Sequence, residues 1–212
     1  MHPTDQATKT LARVYVAKIP EVRDCPLPTE PLFPPTRQAE LVACASEKVR
    51  REKYFSWLLL FHAIEDTLGV DPRGLQFFKS ENGKWLCDGT YFSISHSDNL
   101  TCIALLPYPI GVDVERLRPL KTQDFALKIL SEQELADYHA TPETEKSAFL
   151  LRAWTRKESL FKRLDQSGFF ASSPKTLQGV VEEQTIRVDN ELFLLAVAAD
   201  LPFTVQIHHY KF

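Results

Sequence analysis

A long helical segment set between strand-like runs is the feature that most constrains the fold of this chain. Ser46 is a good N-cap, the polar turns EKVRREK follow it, and the apolar run FSWLLLFHAIEDTL leads to Gly69. Glycine favours the left-handed conformation that ends a helix. A helix that is polar first and apolar later is expected to enter the core obliquely. The segment therefore predicts a fold that mixes helices with strands.

The pattern of strands and helices is repeated in kind along the chain. Strand-like runs before Pro107 are LARVYVAKI, LQFF, YFSISH and LTCIALL, with a turn at Glu81-Asn82-Gly83. After Pro107 come the strand GVDVE, a short helix from the S-x-x-E capping box at Ser131, and a longer helix from Thr141-Pro142 to about Leu164.

The last part of the chain returns to strands, and together these runs define the fold class. The runs are LQGVV, TIRV, ELFLLAVAA and FTVQIHH, with Asp189-Asn190 as a hairpin turn. We therefore predict an α+β fold of two similar α+β halves, residues 1–107 and 108–212.

Charge and composition exclude several classes of protein. The chain has 25 Lys and Arg against 28 Asp and Glu, a net charge of −3, so general attraction to nucleic acid is not expected. The polar opening MHPTDQATKT lacks the apolar stretch of a secretory signal, and His62 breaks the longest apolar run. Four irregularly spaced cysteines fit no zinc pattern. We expect a cytoplasmic protein without a membrane span.

Two carboxylates on one predicted strand are candidates for a metal site. Asp113 and Glu115 are two residues apart, so both side chains leave the same face while Val112 and Val114 point into the core. A crowded pair of carboxylates is stabilised by a cation, and oxygen ligands suit Mg²⁺. By itself, however, this pattern equally describes a solvated strand face.

A stripe of side chains on the longer helix could face the same ligand. Trp154, Glu158 and Lys162 recur at every fourth position, while Leu150, Ala153, Leu160 and Leu164 lie on the neighbouring core-facing side. The alternative for Glu158 and Lys162 is an ordinary surface ion pair.

Two further sets of residues have both a functional and an ordinary interpretation. His96 ends the strand FSIS, where active-site groups are often displayed, but a lone histidine is as easily structural. Lys48 and Arg51 share a face near a helix N-terminus, which favours anions, although a solvated helix start looks the same. Gly83-Lys84 could be only the tip of a hairpin.

Three segments, FSISHS, GVDVE and WTRKESLFKRL, resemble in this order and spacing the signature of the Sfp-type 4′-phosphopantetheinyl transferases. The stretches SEKVRREKYFSW and NGKW look similar to the first half of that family. The resemblance implies a pseudo-dimer of two α+β halves with the active site in the cleft between them. It also implies transfer of 4′-phosphopantetheine from coenzyme A to a serine of an apo acyl or peptidyl carrier protein, giving 3′,5′-ADP.

The resemblance also implies roles for individual residues. Asp113, Glu115 and Glu158 would ligate Mg²⁺, and Asp113, Glu158 and Lys162 would be catalytic, with Lys162 on a phosphate. Coenzyme A would be bound by Lys162 together with Lys48, Arg51, Gly83, Lys84, Ser95 and His96. A chain that contains both halves has no need to dimerise, so we expect a monomer.

This sequence departs from the family pattern at two tryptophans. Trp57, followed by LLLF, stands where several members carry further basic residues, and Trp85 stands where proline commonly follows the G-K pair. The 3′-phosphate of coenzyme A would then be held differently. Two other functions remain open from the residues: a Mg²⁺-dependent phosphohydrolase, and a non-catalytic module that binds a carrier protein or coenzyme A.

Overall fold

A computed structural model describes residues 9–21, 27, 32–120, 123–165 and 177–212. Within these ranges the chain forms five α-helices, α1 (Pro35–Val42), α2 (Glu47–Leu68), α3 (Gln123–Ile129), α4 (Glu132–Ala140) and α5 (Lys146–Leu164). The strands are β1 (Thr10–Lys18), β2 (Phe77–Lys79), β3 (Trp85–Cys87), β4 (Tyr91–Ser97), β5 (Leu100–Leu106), β6 (Ile110–Arg116), β7 (Val180–Val188), β8 (Glu191–Ala199) and β9 (Phe203–Tyr210). None of the described helices has the length and apolar character needed to cross a bilayer.

Two main sheets organise the fold, which is α+β as predicted. The first has the strand order β4-β5-β1-β9, the second has the order β6-β8-β7, and β2 and β3 form a small hairpin. If β1, β4 and β5 are taken to correspond to β6, β7 and β8, respectively, these strands have the same order in both sheets. A long helix follows the first strand of each set along the chain: α2 follows β1, and α5 follows β6. This correspondence is the arrangement expected of two similar halves, whereas the boundary at residues 107 and 108 stays a prediction. The last strand, β9, pairs in parallel with β1 of the first sheet.

The main core lies between the two sheets. Alternation along β1 sends Val14 and Val16 into this core, where they join Val112 and Val197 of the second sheet, all fully or almost fully buried. Tyr15 and Ala17 point to the opposite face, into a second cluster with the apolar side of α2. Complete burial of each such aliphatic side chain stabilises the fold by roughly 1.5–3 kcal/mol. Helix α5 packs on the second sheet against β6 and β8.

The predicted helix signals at α2 and α4 are confirmed. The Ser46 hydroxyl accepts a hydrogen bond from the Val49 N–H at 3.3 Å, and Gly69 ends α2 with a φ of 68°. At α4, Ser131 and Glu134 form both hydrogen bonds of a capping box. Side chains thus satisfy N–H groups that have no partner within the helix.

Several predicted element boundaries were wrong. Helix α1 was missed, because Pro35 suits the first turn of a helix as well as a loop. Helix α5 begins at Lys146 because the residues after Pro142 form a turn in which the Glu145 N–H bonds to the Pro142 carbonyl at 2.9 Å. The end of the run LQGVV, from Val180, and the run TIRV lie on one strand, β7. Leu164, predicted to face the core, is 38% exposed at the helix end.

Candidate active site between β4, β6 and α5

Serine hydroxyl groups join the two sheets at the place where β4 lies beside β6. Ser93, Ser95 and Ser97 alternate on β4, and their side-chain oxygens accept the backbone N–H groups of Val112, Val114 and Arg116 at 3.0, 3.3 and 3.1 Å. Hydroxyl groups here take the place of the carbonyls of a neighbouring strand. The position of β6, and of the acids it carries, is therefore set by β4.

Asp113 is buried at this junction and has one carboxylate oxygen without a partner. Its Oδ1 accepts hydrogen bonds from Ser95 Oγ at 2.8 Å and from Lys162 Nζ at 2.7 Å. Lys162 Nζ also donates to Ser95 Oγ at 3.0 Å. Oδ2 is buried and has no hydrogen-bond partner among the described residues. A buried acceptor without a donor costs free energy that a bound cation would recover.

Glu115, two residues further along β6, is held by three donors. Its Oε2 accepts from Ser97 Oγ at 3.1 Å and from Arg118 Nη1 at 3.3 Å. Its Oε1 accepts from the Trp154 indole Nε1 at 3.2 Å. Three hydrogen bonds fix the orientation of this carboxylate before any ligand arrives.

Helix α5 brings Glu158 and Lys162 to the same place because it packs very closely on β6. A Cβ atom added at Gly111 would lie 1.9 Å from the Ser159 carbonyl oxygen, so only glycine allows this approach. Burial raises the pKa of Glu158 to about 7, the negative charges of Asp113 and Glu115 add to the rise, and Lys162 opposes it. Three carboxylates and one ammonium group are therefore close enough for their charges to interact, and their roles stay predictions.

His96 is an exposed residue of β4, and it lies near enough to the acids of β6 for their charges to act on it. Removal of water from around the ring by neighbouring atoms lowers the pKa of the imidazole. The charges of Glu52, Asp113 and Glu115 act in the opposite direction, and Lys162 acts in the same direction. The pKa of His96 therefore depends on the acids of β6 and on Glu52 of α2.

Gly83, Lys84 and Lys162, all predicted to bind coenzyme A, line one cavity of about 320 Å³. Apolar and aromatic side chains form much of its wall: Trp85, Phe92, Ile94 and Phe161. The Lys84 ammonium group donates to the Lys162 carbonyl oxygen at 2.5 Å and points toward the Ile110 carbonyl at 3.5 Å. In this structure Lys84 therefore binds backbone of the second half.

Lys48 and Arg51 line a different cavity, between the start of α2 and the turn after β4. Arg51 is only 4% exposed, donates to the Pro20 carbonyl at 2.5 Å and lies over the Phe55 ring. Lys48 is exposed and lies 3.9 Å from Glu52. Glu52 also lines this cavity, and its charge acts on His96.

Sequence reasoning did not assign Ser93, Ser97, Arg118 or Glu52 to the site. The alternation of serines in FSISHS was the available signal, but their partners are backbone N–H groups of a distant segment, which no local pattern reveals. The sequence places Arg116, Arg118 and Lys121 just after Glu115, a basic patch that could suit an acidic partner. Arg116 pairs with Asp98 at 3.0 Å and Glu191 at 2.6 Å, so acids of this chain already compensate its charge. Lys121, the third residue of that patch, lies outside the described residues.

The chemistry of the donor set suits a hard divalent cation, although the described side chains are not arranged around one. The charges of Asp113 and Glu115 both act on Glu158, and Asp113 Oδ2 is buried without a hydrogen-bond partner among the described residues. Carboxylate oxygens are the protein ligands that Mg²⁺ prefers. Among the described residues no group of three or more His, Cys, Asp or Glu side chains is arranged to hold an ion; the Lys162 ammonium group contacts Asp113 instead. Asp113, Glu115 and Glu158 are the residues that would hold it.

Comparisons with known proteins place this site in a matched region. The model of the 4′-phosphopantetheinyl transferase superfamily matches residues 109–188. A 4′-phosphopantetheinyl transferase of Bacillus subtilis is 31% identical over 50% of this chain, and Sfp of Bacillus subtilis strain 168 is 29% identical over 50%; each match spans 48% of the relative. The chain thus matches about half the length of these two relatives. The 4′-phosphopantetheinyl transferase AcpT of Salmonella typhi is 31% identical over 78% of this chain and 85% of its own length.

Proposed function

This chain belongs to the 4′-phosphopantetheinyl transferase superfamily, and from that premise we propose that it transfers 4′-phosphopantetheine from coenzyme A to a serine of an apo acyl or peptidyl carrier protein. The observation that carries the proposal is the acidic site itself. Asp113, Glu115 and Glu158 lie with Lys162 inside the region that the family model matches. Such a group of acids with one lysine suits a diphosphate substrate bound with a divalent cation.

The proposed reaction is a displacement at phosphorus. The serine oxygen of the carrier forms a bond to the β-phosphorus of coenzyme A, which bears the pantetheine arm. The bond from that phosphorus to the oxygen bridging to the α-phosphate breaks, and 3′,5′-ADP leaves with the bond's electron pair. The serine proton must be accepted as the new bond forms. Glu158, directly or through a water, is the proposed acceptor of this proton.

Lys162 and Mg²⁺ are proposed to stabilise the negative charge on the diphosphate oxygens during the reaction. When bound, Mg²⁺ supplies positive charge to the diphosphate oxygens. The Lys162 ammonium group, 2.7 Å from Asp113 Oδ1, is the nearby protein cation available to a phosphate oxygen. Ser95, which bonds both Asp113 and Lys162, keeps the two groups in place.

Coenzyme A is proposed to extend across the acidic site, from the cavity lined by Lys162 to the cavity beside α2. Lys48 and Arg51 would contact its 3′-phosphate end, since they line the cavity beside α2. Ser95 and His96 would lie against the phosphates, and Gly83 and Lys84 would border the donor at the cavity shared with Lys162. We further propose that the protein acts as a monomer in the cytoplasm.

Incubation with coenzyme A, Mg²⁺ and a panel of apo-carriers, read by mass spectrometry of the intact carrier, tests the proposed function. We expect one carrier to gain the mass of phosphopantetheine, and the Asp113→Asn variant to be slower by on the order of 10²-fold or more. Asp71→Asn is the matched control, because Asp71 pairs with Arg73 at the surface and lines neither of the two cavities. Both variants should melt close to the wild-type temperature.

Two other outcomes would replace this proposal. Cleavage of coenzyme A without any gain of mass on a carrier would indicate a Mg²⁺-dependent phosphohydrolase, in which water is the nucleophile. Binding of coenzyme A or carrier without either product would indicate a non-catalytic binding module. The buried acid with its unpartnered oxygen favours an enzyme over such a module, because it costs stability without contributing to a binding surface.

A further inference from the structure

The Lys84 side chain reaches from the first half of the chain to two backbone carbonyls of the second half. Its Nζ donates to the Lys162 carbonyl oxygen at 2.5 Å and lies 3.5 Å from the Ile110 carbonyl oxygen. Lys162 is in the last turn of α5, and its own side chain contacts Asp113. Ile110 is the first residue of β6, the strand that carries Asp113 and Glu115. One ammonium group therefore contacts both elements that carry the acidic site.

The end of α5 is a place where an ammonium group is stabilising. The last carbonyls of a helix have no donor within the helix, and the partial negative charge of the helix C-terminus attracts cations. Burial lowers the pKa of Lys84, Asp165 opposes the shift, and Lys162 adds to it. A buried ammonium group is costly unless it is hydrogen-bonded. The two carbonyls are the acceptors that offset this cost.

The turn before Lys84 is fastened to the same helix end. Ser80 Oγ donates to Asp165 Oδ1 at 2.9 Å, and Asn82 Nδ2 donates to the Asp165 carbonyl at 2.5 Å. Asp165 ends α5 in the left-handed conformation, with a φ of 52°. The Lys84 N–H in turn bonds to Ser80 Oγ at 3.1 Å. The direction of the Lys84 side chain is thus fixed by contacts on both sides of the junction.

We infer that Lys84 is a positioning residue, which holds the end of α5 against the start of β6 and thereby brings Lys162 and Glu158 to Asp113. This inference rests on the proposed function, and it assigns Lys84 a role different from the contact with coenzyme A considered above. A ligand contact and a positioning contact predict different kinetics. Loss of a ligand contact weakens coenzyme binding, whereas loss of alignment lowers turnover.

The kinetic test compares Lys84→Met, which keeps the stem of the side chain, with Lys84→Arg, which keeps the charge and the donors. For Lys84→Met we expect kcat for transfer to fall by about 10- to 100-fold, as misplacement on the order of 1 Å does. The KM and the calorimetric Kd for coenzyme A should stay within about twofold. Lys84→Arg should recover part of kcat. A rise in Kd for coenzyme A with kcat retained would overturn the inference.

Hydrogen exchange measured by mass spectrometry tests the same inference without any activity. In Lys84→Met, amides of residues 110–116 and 159–165 should exchange faster than in the wild type, while those of α2 should be unchanged. Lys79→Met is the matched control, because Lys79 contacts Glu40 and the Trp85 ring, both within the first half. Exchange in Lys84→Met equal to that of the wild type would overturn the inference.

A further variant separates failure of the inference from failure to fold. Ser80→Ala removes the hydroxyl that links Asp165 to the Lys84 N–H but keeps the ammonium group, so it should raise exchange at residues 159–165 by less than Lys84→Met does. If the wild type modifies no carrier, the proposed function fails, but the exchange comparison still decides the role of Lys84. If Lys84→Met does not fold, unchanged exchange at residues 159–165 in Ser80→Ala would count against positioning.

Discussion

At the scale of single residues, the burial of Glu158 makes the stability of the protein depend on pH. Burial and the charges of Asp113 and Glu115 raise its pKa to about 7, from 4.5 for an ordinary glutamate. The folded protein holds this proton more tightly than the unfolded chain does, so protonation of Glu158 favours the folded state. This stability is fully present below pH 4.5 and is lost as the pH rises through about 7. The acidic site therefore destabilises the metal-free fold at neutral pH.

We predict that Glu158→Gln removes this loss of stability. With metal chelated, the free energy of unfolding of the wild type should fall between pH 5 and pH 8 relative to the variant, by on the order of 2 kcal/mol after solvent screening. Urea denaturation at the two pH values measures the difference. Parallel pH dependence in the two proteins would show that Glu158 ionises normally in the fold.

Spacing in the sequence was informative where it defines a shared face of one strand or one helix, whereas the roles of these residues stay predictions. The two-residue spacing of Asp113 and Glu115 on a strand and the four-residue spacing of Glu158 and Lys162 on a helix each define a shared face, and the structure brings all four together. Contacts of side chains with distant backbone, such as those of Lys84 and Ser95, follow from tertiary packing. Spacing along the chain carries no information about them.

At the scale of elements, the crossing of α5 over β6 decides whether the acids meet. Added at Gly111, a Cβ would lie 1.9 Å from Ser159 O and 2.5 Å from Arg163 N, both backbone atoms that cannot rotate away. The helix would have to move outward. Since Glu158 and Lys162 are on that helix, their distances to Asp113 would grow with it.

We predict that Gly111→Ala lowers both stability and transfer. The free energy of unfolding should fall by about 1–3 kcal/mol, as for other overpacked sites, and kcat of the folded protein should fall by at least about tenfold. Gly74→Ala is the matched control, because nothing lies within 4 Å of a Cβ there and its φ is ordinary. Wild-type kcat in a stably folded Gly111→Ala protein would contradict the proposed dependence on close packing.

Whole helices were predicted correctly where the residues at their ends are strong helix caps. Helix α2 has a serine cap and a left-handed glycine, and both ends were placed correctly. Helix α1 has no side-chain cap and follows a proline-rich stretch, while the seven-residue α3 spans only two turns, so neither differs from a loop in sequence pattern.

At the scale of the whole molecule, the stability of each sheet depends on its contacts with the other sheet. They share one core in which Val14 of β1 packs with Val112 and Val197, and the serines of β4 bind the backbone of β6. The final strand adds to this dependence, since β9 pairs with β1 from Thr10 to Ala17. The order of elements predicted two halves, but it could not show that the chain returns to its first sheet, because strand pairing across some 190 residues leaves no local pattern.

We predict that residues 1–107 do not fold cooperatively alone and that mixing them with residues 108–212 restores the native sheet. The isolated first fragment lacks β9, which leaves the edge of β1 unpaired, and it exposes the side chains that face the second sheet. The second fragment likewise loses the serine partners of β6. Circular dichroism melts of each fragment and of the equimolar mixture measure this, with the intact chain as the control. A sigmoidal melt of residues 1–107 alone would instead show that each sheet carries enough core to fold by itself, and the acidic site would then form by docking of two independent units.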